Sequence, residues 1–581
     1  MSRARRLLSA AVLVAVAGAA CNADPAPSAT PPPAPSSAEP SGAVATPGTS
    51  ESSFARSAWP VWGSACDVEG YTGRLGRIEA VTARTIRFRL CRPDGAFPTR
   101  LAHPALGIVD ASSIALLEAD PTATAALPGA GEYRVDAWTP GDNVRLVPGA
   151  AAESASSGTI VLRFVPSAAD RIGALRAAEV DGIDDPGSTG LDELATLPEV
   201  STMARPGLAT AYLGFGSGPR FARVAVRTAF AQGIDTAGLA RDAFPAGSQA
   251  AGWLTPCEVP GGCAGQTWYE FNGPAGVDAL RLAGFSTSAA VTLHVPDAAV
   301  PGLPDPALAA ATLRDQLAES LGVTLEIDIV TAEDLAGAIA DGTVDGLYLW
   351  GVASPLADPS GFLEPVVGRG VRSTAAGRAK AARRPLRDAA ATADGPVRVA
   401  DFAAANDAVR ASAAVVPLAH AGSMVAFRSD VDGVAVSPLG ADPLGDAVPG
   451  DRSQLVLMQA TEPPSTWCGA APDGDDLRLC ALVTPGLYAF PEGRLVAEPA
   501  LASRCTASAD ATEWTCRLRG GVAFSDGKEL DTGDVLASFR AQADASGTLR
   551  RALPPAAFAA WDALFGGPVP AGSLPGDEGP G

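Results

Sequence analysis

Nine cysteines and three histidines are the residues whose spacing most narrowly limits the chemistry open to this chain. Eight of the cysteines fall into sequence-local pairs: Cys66 with Cys91, Cys257 with Cys263, Cys468 with Cys480, and Cys505 with Cys516. Cys21 stands alone near the start. Such residues either coordinate a metal as thiolates or oxidise to disulfides. Metal coordination needs ligands clustered as in Cys-x-x-Cys; that motif is missing, and His103, His294 and His420 are far apart. An even set in an exported chain implies bridges, so the four local pairs are expected as disulfides. Cys505 and Cys516 flank Ser508–Ala511, a turn sequence, which predicts a cross-strand bridge. Neither Gly-x-Ser-x-Gly nor His-Glu-x-x-His occurs, so hydrolysis lacks both the nucleophile and the zinc motif it would rest on. No enzymatic activity, cofactor or metal is expected.

Export itself is read from the first residues. Arg3, Arg5 and Arg6 precede an apolar stretch, Leu7 to Ala17, and small residues then lead to Cys21. This is the layout of a secretory signal, and it falls short of the roughly 18 apolar residues of a spanning helix. It resembles a bacterial lipoprotein signal (1–21), with Gly18 where an aliphatic residue is usual. The resemblance implies a lipid on Cys21; cleavage near Ala20 without lipidation is the alternative. Residues 22–57 are rich in Pro, Ala and Ser and read as a tether, reaching on the order of 100 Å at about 3.1 Å per residue. The folded part is therefore expected outside the cell, held to the outer face of the cytoplasmic membrane.

The chain has 581 residues, of which 47% are hydrophobic and 18% charged, a globular balance. Its 43 basic against 64 acidic residues give a net charge of −21, the wrong sign for a nucleic-acid partner.

The elements that would position a site are clearest between Val291 and Trp350. A strand at Val291–Val295 leads to a helix with Leu313, Leu317 and Leu321 four residues apart. Val323, Leu325, Ile327 and Ile329 then alternate with polar residues, and a helix at Ala332–Ala340 and a strand at Gly346–Trp350 follow. This succession predicts a parallel α/β sheet. Ligands of such sheets sit beyond the carboxyl ends of strands, which directs attention to the loops after Val295 and after Trp350. Thr85–Leu90 and Gln454–Gln459 also read as strands, and Arg223–Ile234 and Asp401–Val415 as helices. Residues 440–453 read as a loop or joint, and 566–581 as a disordered tail.

One stretch carries a family. "WTCRLRGGVAFSDGKELDTGDVLASF" (Trp514 to Phe539) resembles the signature of the extracytoplasmic solute-binding proteins, family 5, the peptide/nickel-type receptors of ABC importers. Also similar are "LYAF" and "EPALA" upstream of it, "IEAVTARTIRFRLCRPDGAF", "PGAGEY", "RVAVRTAFAQGID" and "LYLWGVASPLADPSGFL". In the family the first signature precedes "IEAVTARTIRFRL"; here it follows it. Each segment occurs once, which points to one circularly permuted copy joined at Gly440–Ser453 rather than two truncated tandem copies.

The resemblance implies a two-lobed, periplasmic-binding-protein-like α/β fold (type II, cluster C) with a hinge. Lobe I would comprise 58–208 with 428–565, and lobe II 209–427. A small solute or peptide would be held between them and passed to a permease and ATPase. A diverged sensor or structural lipoprotein of the same fold is the alternative. The family's ligand-lining segment falls on Trp350 to Asp358. In peptide binders an Asp three residues after the Trp holds the ligand's amino group; here that position is Ala353, and the loop's acidic residue is Asp358. Trp350 and Asp358 are thus candidate ligand contacts, with Trp467 and Tyr488 added. Each has a structural alternative: core packing for Trp350, a helix cap for Asp358, shielding of the Cys468 bridge for Trp467.

Overall fold

In the computed structural model, residues 57–61, 63–121, 126–149, 158–470 and 474–570 are described. The signal with Cys21, the tether up to residue 56 and the tail from 571 lie outside them.

The α/β succession forms as its periodicity predicts. Strand Val291–Pro296 pairs in parallel with Leu325–Val330 on one side and Leu347–Ala353 on the other. Between the first two runs helix Pro306–Leu321, which buries Leu313, Leu317 and Leu321 on its inner face. Asp305 caps its start by accepting from Leu308 N, and Gly322, at φ 65°, ends it in the left-handed conformation that favours glycine. The sheet as a whole is mixed, because Ala209–Phe215 runs antiparallel to both Leu347–Ala353 and Val415–His420. The helix read at Asp401–Val415 runs instead over Pro396–Ser412: Ala413 turns left-handed (φ 40°), and Val415 opens a strand in which every residue is buried.

Two more large sheets, with a two-stranded one of Tyr488–Ala489 and Glu498–Pro499, belong to the other lobe. A five-stranded antiparallel sheet contains Leu75–Thr82, Thr85–Leu90, Glu513–Leu518 and Ala502–Ala507 as neighbours, with Ser57–Trp59 at its edge. In a seven-stranded sheet, Gln454–Gln459 lies between Thr159–Phe164 and Gly182–Asp184, parallel to both. The last quarter of the chain therefore supplies inner strands to both sheets. Phe88, Phe97 and Phe539 meet at ring distances of 5.1 and 5.2 Å, so residues some 450 positions apart share one core.

Ser423–Arg428 pairs with Gly182–Asp184 and Val200–Arg205, so the chain leaves the six-stranded sheet at Ala421–Gly422. Val569 is buried and exchanges backbone hydrogen bonds with Ala543 and Ala545.

Four disulfides join Cys66 to Cys91, Cys257 to Cys263, Cys468 to Cys480 and Cys505 to Cys516. The last links directly paired positions of a hairpin. Among the described residues no group of His, Cys, Asp or Glu could hold a metal ion.

Candidate functional site

Two segments cross between the lobes, Arg205–Ala209 outward and His420–Ser423 back. They run against each other: Ala421 N donates to Ala209 O at 2.9 Å, and a Cβ on Gly207 would lie 1.9 Å from Ala421 O. A double crossing of this kind is hinge geometry.

The outward crossing is anchored by a buried charge cluster. Arg205 pairs with Asp184 at 2.7 Å and with Asp442; Arg478 pairs with Asp442 at 2.9 Å and with Asp184. All four are buried, so leaving any one unpaired would be costly. Burial, opposed by Arg478 and reinforced by Asp184, pushes the adjoining Asp475 up to about 7. With Asp475 protonated, the cluster holds two positive and two negative charges.

Beside the hinge lies a cavity of about 590 Å³ lined from both lobes by His103, Arg205, Leu208, Ala353, Pro355 and Ala560, among others. Burial pushes His103 down to about 4, so it is neutral there. Ala353, Ser354 and Pro355 also wall a second cavity of about 270 Å³, whose other side carries Arg74, Arg92 and Arg100. A third, of about 190 Å³, lies between Thr99 and Leu495–Ala497 of the first lobe and Asp358, Arg398 and Phe402 of the second. The lobes touch directly as well. Arg74 Nη2 is 3.2 Å from Glu364 Oε2, and Gly95 N donates to Ala390 O at 2.8 Å.

The four candidate ligand contacts do not converge on this cleft. Trp350 shares with Tyr348 and Val352, two residues to either side, the face of its strand covered by helices. There it lines a separate cavity of about 420 Å³ with Tyr212, Tyr348 and Arg372. Asp358 does border the 190 Å³ cavity, yet it is buried and already matched: Arg398 Nη1 at 2.5 Å, Ser360 Oγ at 2.5 Å and Ser360 N at 3.0 Å all donate to it. Trp467 is a core residue packed on Phe558, 6.1 Å away, beside Cys468. Tyr488 is buried, and its hydroxyl accepts from Cys505 N at 2.9 Å. Ala353, at the position where peptide binders carry Asp, does face the cleft. The arginines opposite it follow no periodicity. Their one sequence mark is that Arg92 adjoins the bridged Cys91.

Two α/β lobes, a double crossing and a ligand-sized space between them are the architecture of a solute-binding protein. The chain belongs to the bacterial extracellular solute-binding proteins, family 5: the family model described as "family 5 Middle" matches residues 43–373 and 496–556. Members of that family bind solutes rather than act as enzymes. It is 24% identical over 398 residues to the peptide transport periplasmic protein SapA of Salmonella typhimurium, covering 64% of this chain and 69% of that one. It is 23% identical over 390 residues to the probable ABC transporter periplasmic-binding protein SapA of Escherichia coli, with the same coverage. Among solved structures, HbpA2 of Haemophilus parasuis superimposes with a TM-score of 0.56 at 22% identity, over 64% of this chain and 75% of that one, and so shares the fold. Among the described residues no helix is long and apolar enough to cross a membrane.

Proposed function

We propose that this protein is the lipid-anchored receptor of a peptide-type ABC importer. It captures a small solute, an oligopeptide or similar molecule, by closing two lobes, and hands it to a permease driven by an ATPase. Membership of family 5 and the transport roles of the SapA relatives support the transport reading. The single observation that carries it here is the 590 Å³ cleft walled by both lobes beside their double crossing, since solute in that place would couple to hinge closure. Cys21 would hold the lipid, and the following Pro/Ala/Ser-rich tether would let the receptor reach the permease mouth. Native mass spectrometry of the full chain purified without denaturant tests this. A stoichiometric, chemically unaltered small solute is expected; an empty protein that also fails to bind peptides would contradict it.

We also propose that the chain is one circularly permuted copy of the family fold, joined through Gly440–Ser453. The seating of Gln454–Gln459 at an inner sheet position supports this, as does the pairing of Glu513–Leu518 with Thr85–Leu90.

A further inference from the structure

We infer that the smaller, 270 Å³ cavity between the lobes is an anion subsite in which Arg74 and Arg92 hold one carboxylate-like group of the captured solute. The inference rests on the receptor reading and narrows its substrate class to solutes presenting a free oxyanion.

The charges that line this cavity are unevenly placed. Arg74, Arg92 and Arg100 line one wall, and Glu364 lies opposite. Behind them Asp94 is buried, with Arg100 Nε at 2.6 Å and Arg74 Nη1 at 3.6 Å. At the wall itself three guanidinium groups face one carboxylate, and the balancing groups, Asp94 and then Asp358 and Asp394 with Arg398, lie behind it. Arg92 is the member of the wall that makes no ion pair or side-chain hydrogen bond among the described residues, and it is exposed at the cavity. Arg74 and Arg92 are held together by the backbone, because Cys91 N donates to Arg74 O at 2.7 Å and Cys91 is fixed by its bridge to Cys66.

Two arginines brought together at one cavity wall repel each other. Partial desolvation at the cavity wall, with more than a third of the residue still exposed, and then the Arg74 charge push Arg92 below its ordinary value, and a bound anion would relieve that repulsion through charge-assisted hydrogen bonds. The positive wall is local, set into a chain of net charge −21, so it acts on a solute already in the cleft rather than steering anions from afar. Ala353, shared by this cavity and the larger one, offers no carboxylate to compete.

The test is calorimetric titration of the full chain with four probes: Ala-Ala-Ala as free acid, the same tripeptide as C-terminal amide, glutarate, and inorganic phosphate. We expect the acid to bind at least about tenfold more tightly than the amide. Arg92→Gln should lower the acid to the level of the amide, and Arg92→Lys should keep part of the preference. Arg92 is exposed, so neither change threatens the fold. Binding of glutarate or phosphate that Arg92→Gln removes would support the same subsite with a non-peptide source of the anion. Equal affinity for acid and amide, unchanged by Arg92→Gln, overturns the subsite and leaves the receptor reading standing. No binding of any probe, together with no co-purified solute, overturns both.

Discussion

Arg74, just before strand Leu75–Thr82, and Glu364 of the opposite lobe form an ion pair, Nη2 to Oε2 at 3.2 Å, that spans the cleft. Glu364 is about one-third exposed, and a pair of that kind contributes about 0–1 kcal/mol. It is therefore able to bias closure without holding the fold together. Glu364→Gln is expected to raise the radius of gyration of the solute-free protein in small-angle scattering while shifting the melting temperature by no more than about 2 °C. An unchanged scattering curve would remove the pair from any role in closure.

Gly207 is where the two crossing segments approach most closely. A Cβ there would meet Ala421 O at 1.9 Å, and that oxygen belongs to backbone, which cannot swing aside. Gly207→Ala should force the crossings apart, costing about 1–3 kcal/mol and altering the closure equilibrium. Thermal unfolding and scattering read the two effects separately; a variant with parental values in both would contradict the hinge assignment.

Local pattern made much of this fold legible. The alternation from Val323 to Ile329 and the Leu313, Leu317, Leu321 spacing locate a strand and a helix, because burial of one face imposes its period on the sequence. The site was far less legible. Trp350 follows the same rule as its strand, and its two-residue spacing from Tyr348 and Val352 places it with them on the helix-covered face, away from the cleft. Asp358 stands out as the loop's acidic residue, yet the arginine that neutralises it is 40 positions away. The hinge cluster unites Asp184, Arg205, Asp442 and Arg478 from four separate segments. No periodicity encodes such long-range charge matching.

The same cluster gives a pH dependence of definite sign. Asp475 in the folded protein titrates at about 7, because burial, with help from Asp184, outweighs Arg478; its ordinary value is 3.8. Between those values the folded chain keeps a proton that the unfolded chain has lost. The resulting stabilisation is fully present below pH 4 and is lost as the pH rises to about 7. Asp475→Asn keeps the group neutral at every pH. Its melting temperature should match the parent near pH 4 and exceed it increasingly up to pH 7, where the gain is a few kcal/mol at most. A difference independent of pH would show that Asp475 is ionised throughout.

Removing residues 454–581 takes Gln454–Gln459 from between two parallel neighbours and Glu513–Leu518 from beside Thr85–Leu90. Both sheets of one lobe would be left with unpaired inner edges. The fragment 58–440 should show no cooperative thermal transition by calorimetry. A sharp transition would instead favour two tandem, separately folding copies over a single permuted one.

Capture of solute by lobe closure is the central claim, and scattering on one preparation tests it most directly. The radius of gyration of the full chain is measured before and after adding the solute recovered by native mass spectrometry, with the solute then re-isolated. The account predicts a decrease that saturates at one solute per chain, with the solute chemically unchanged. Binding without compaction, or a chemically altered solute, would contradict it.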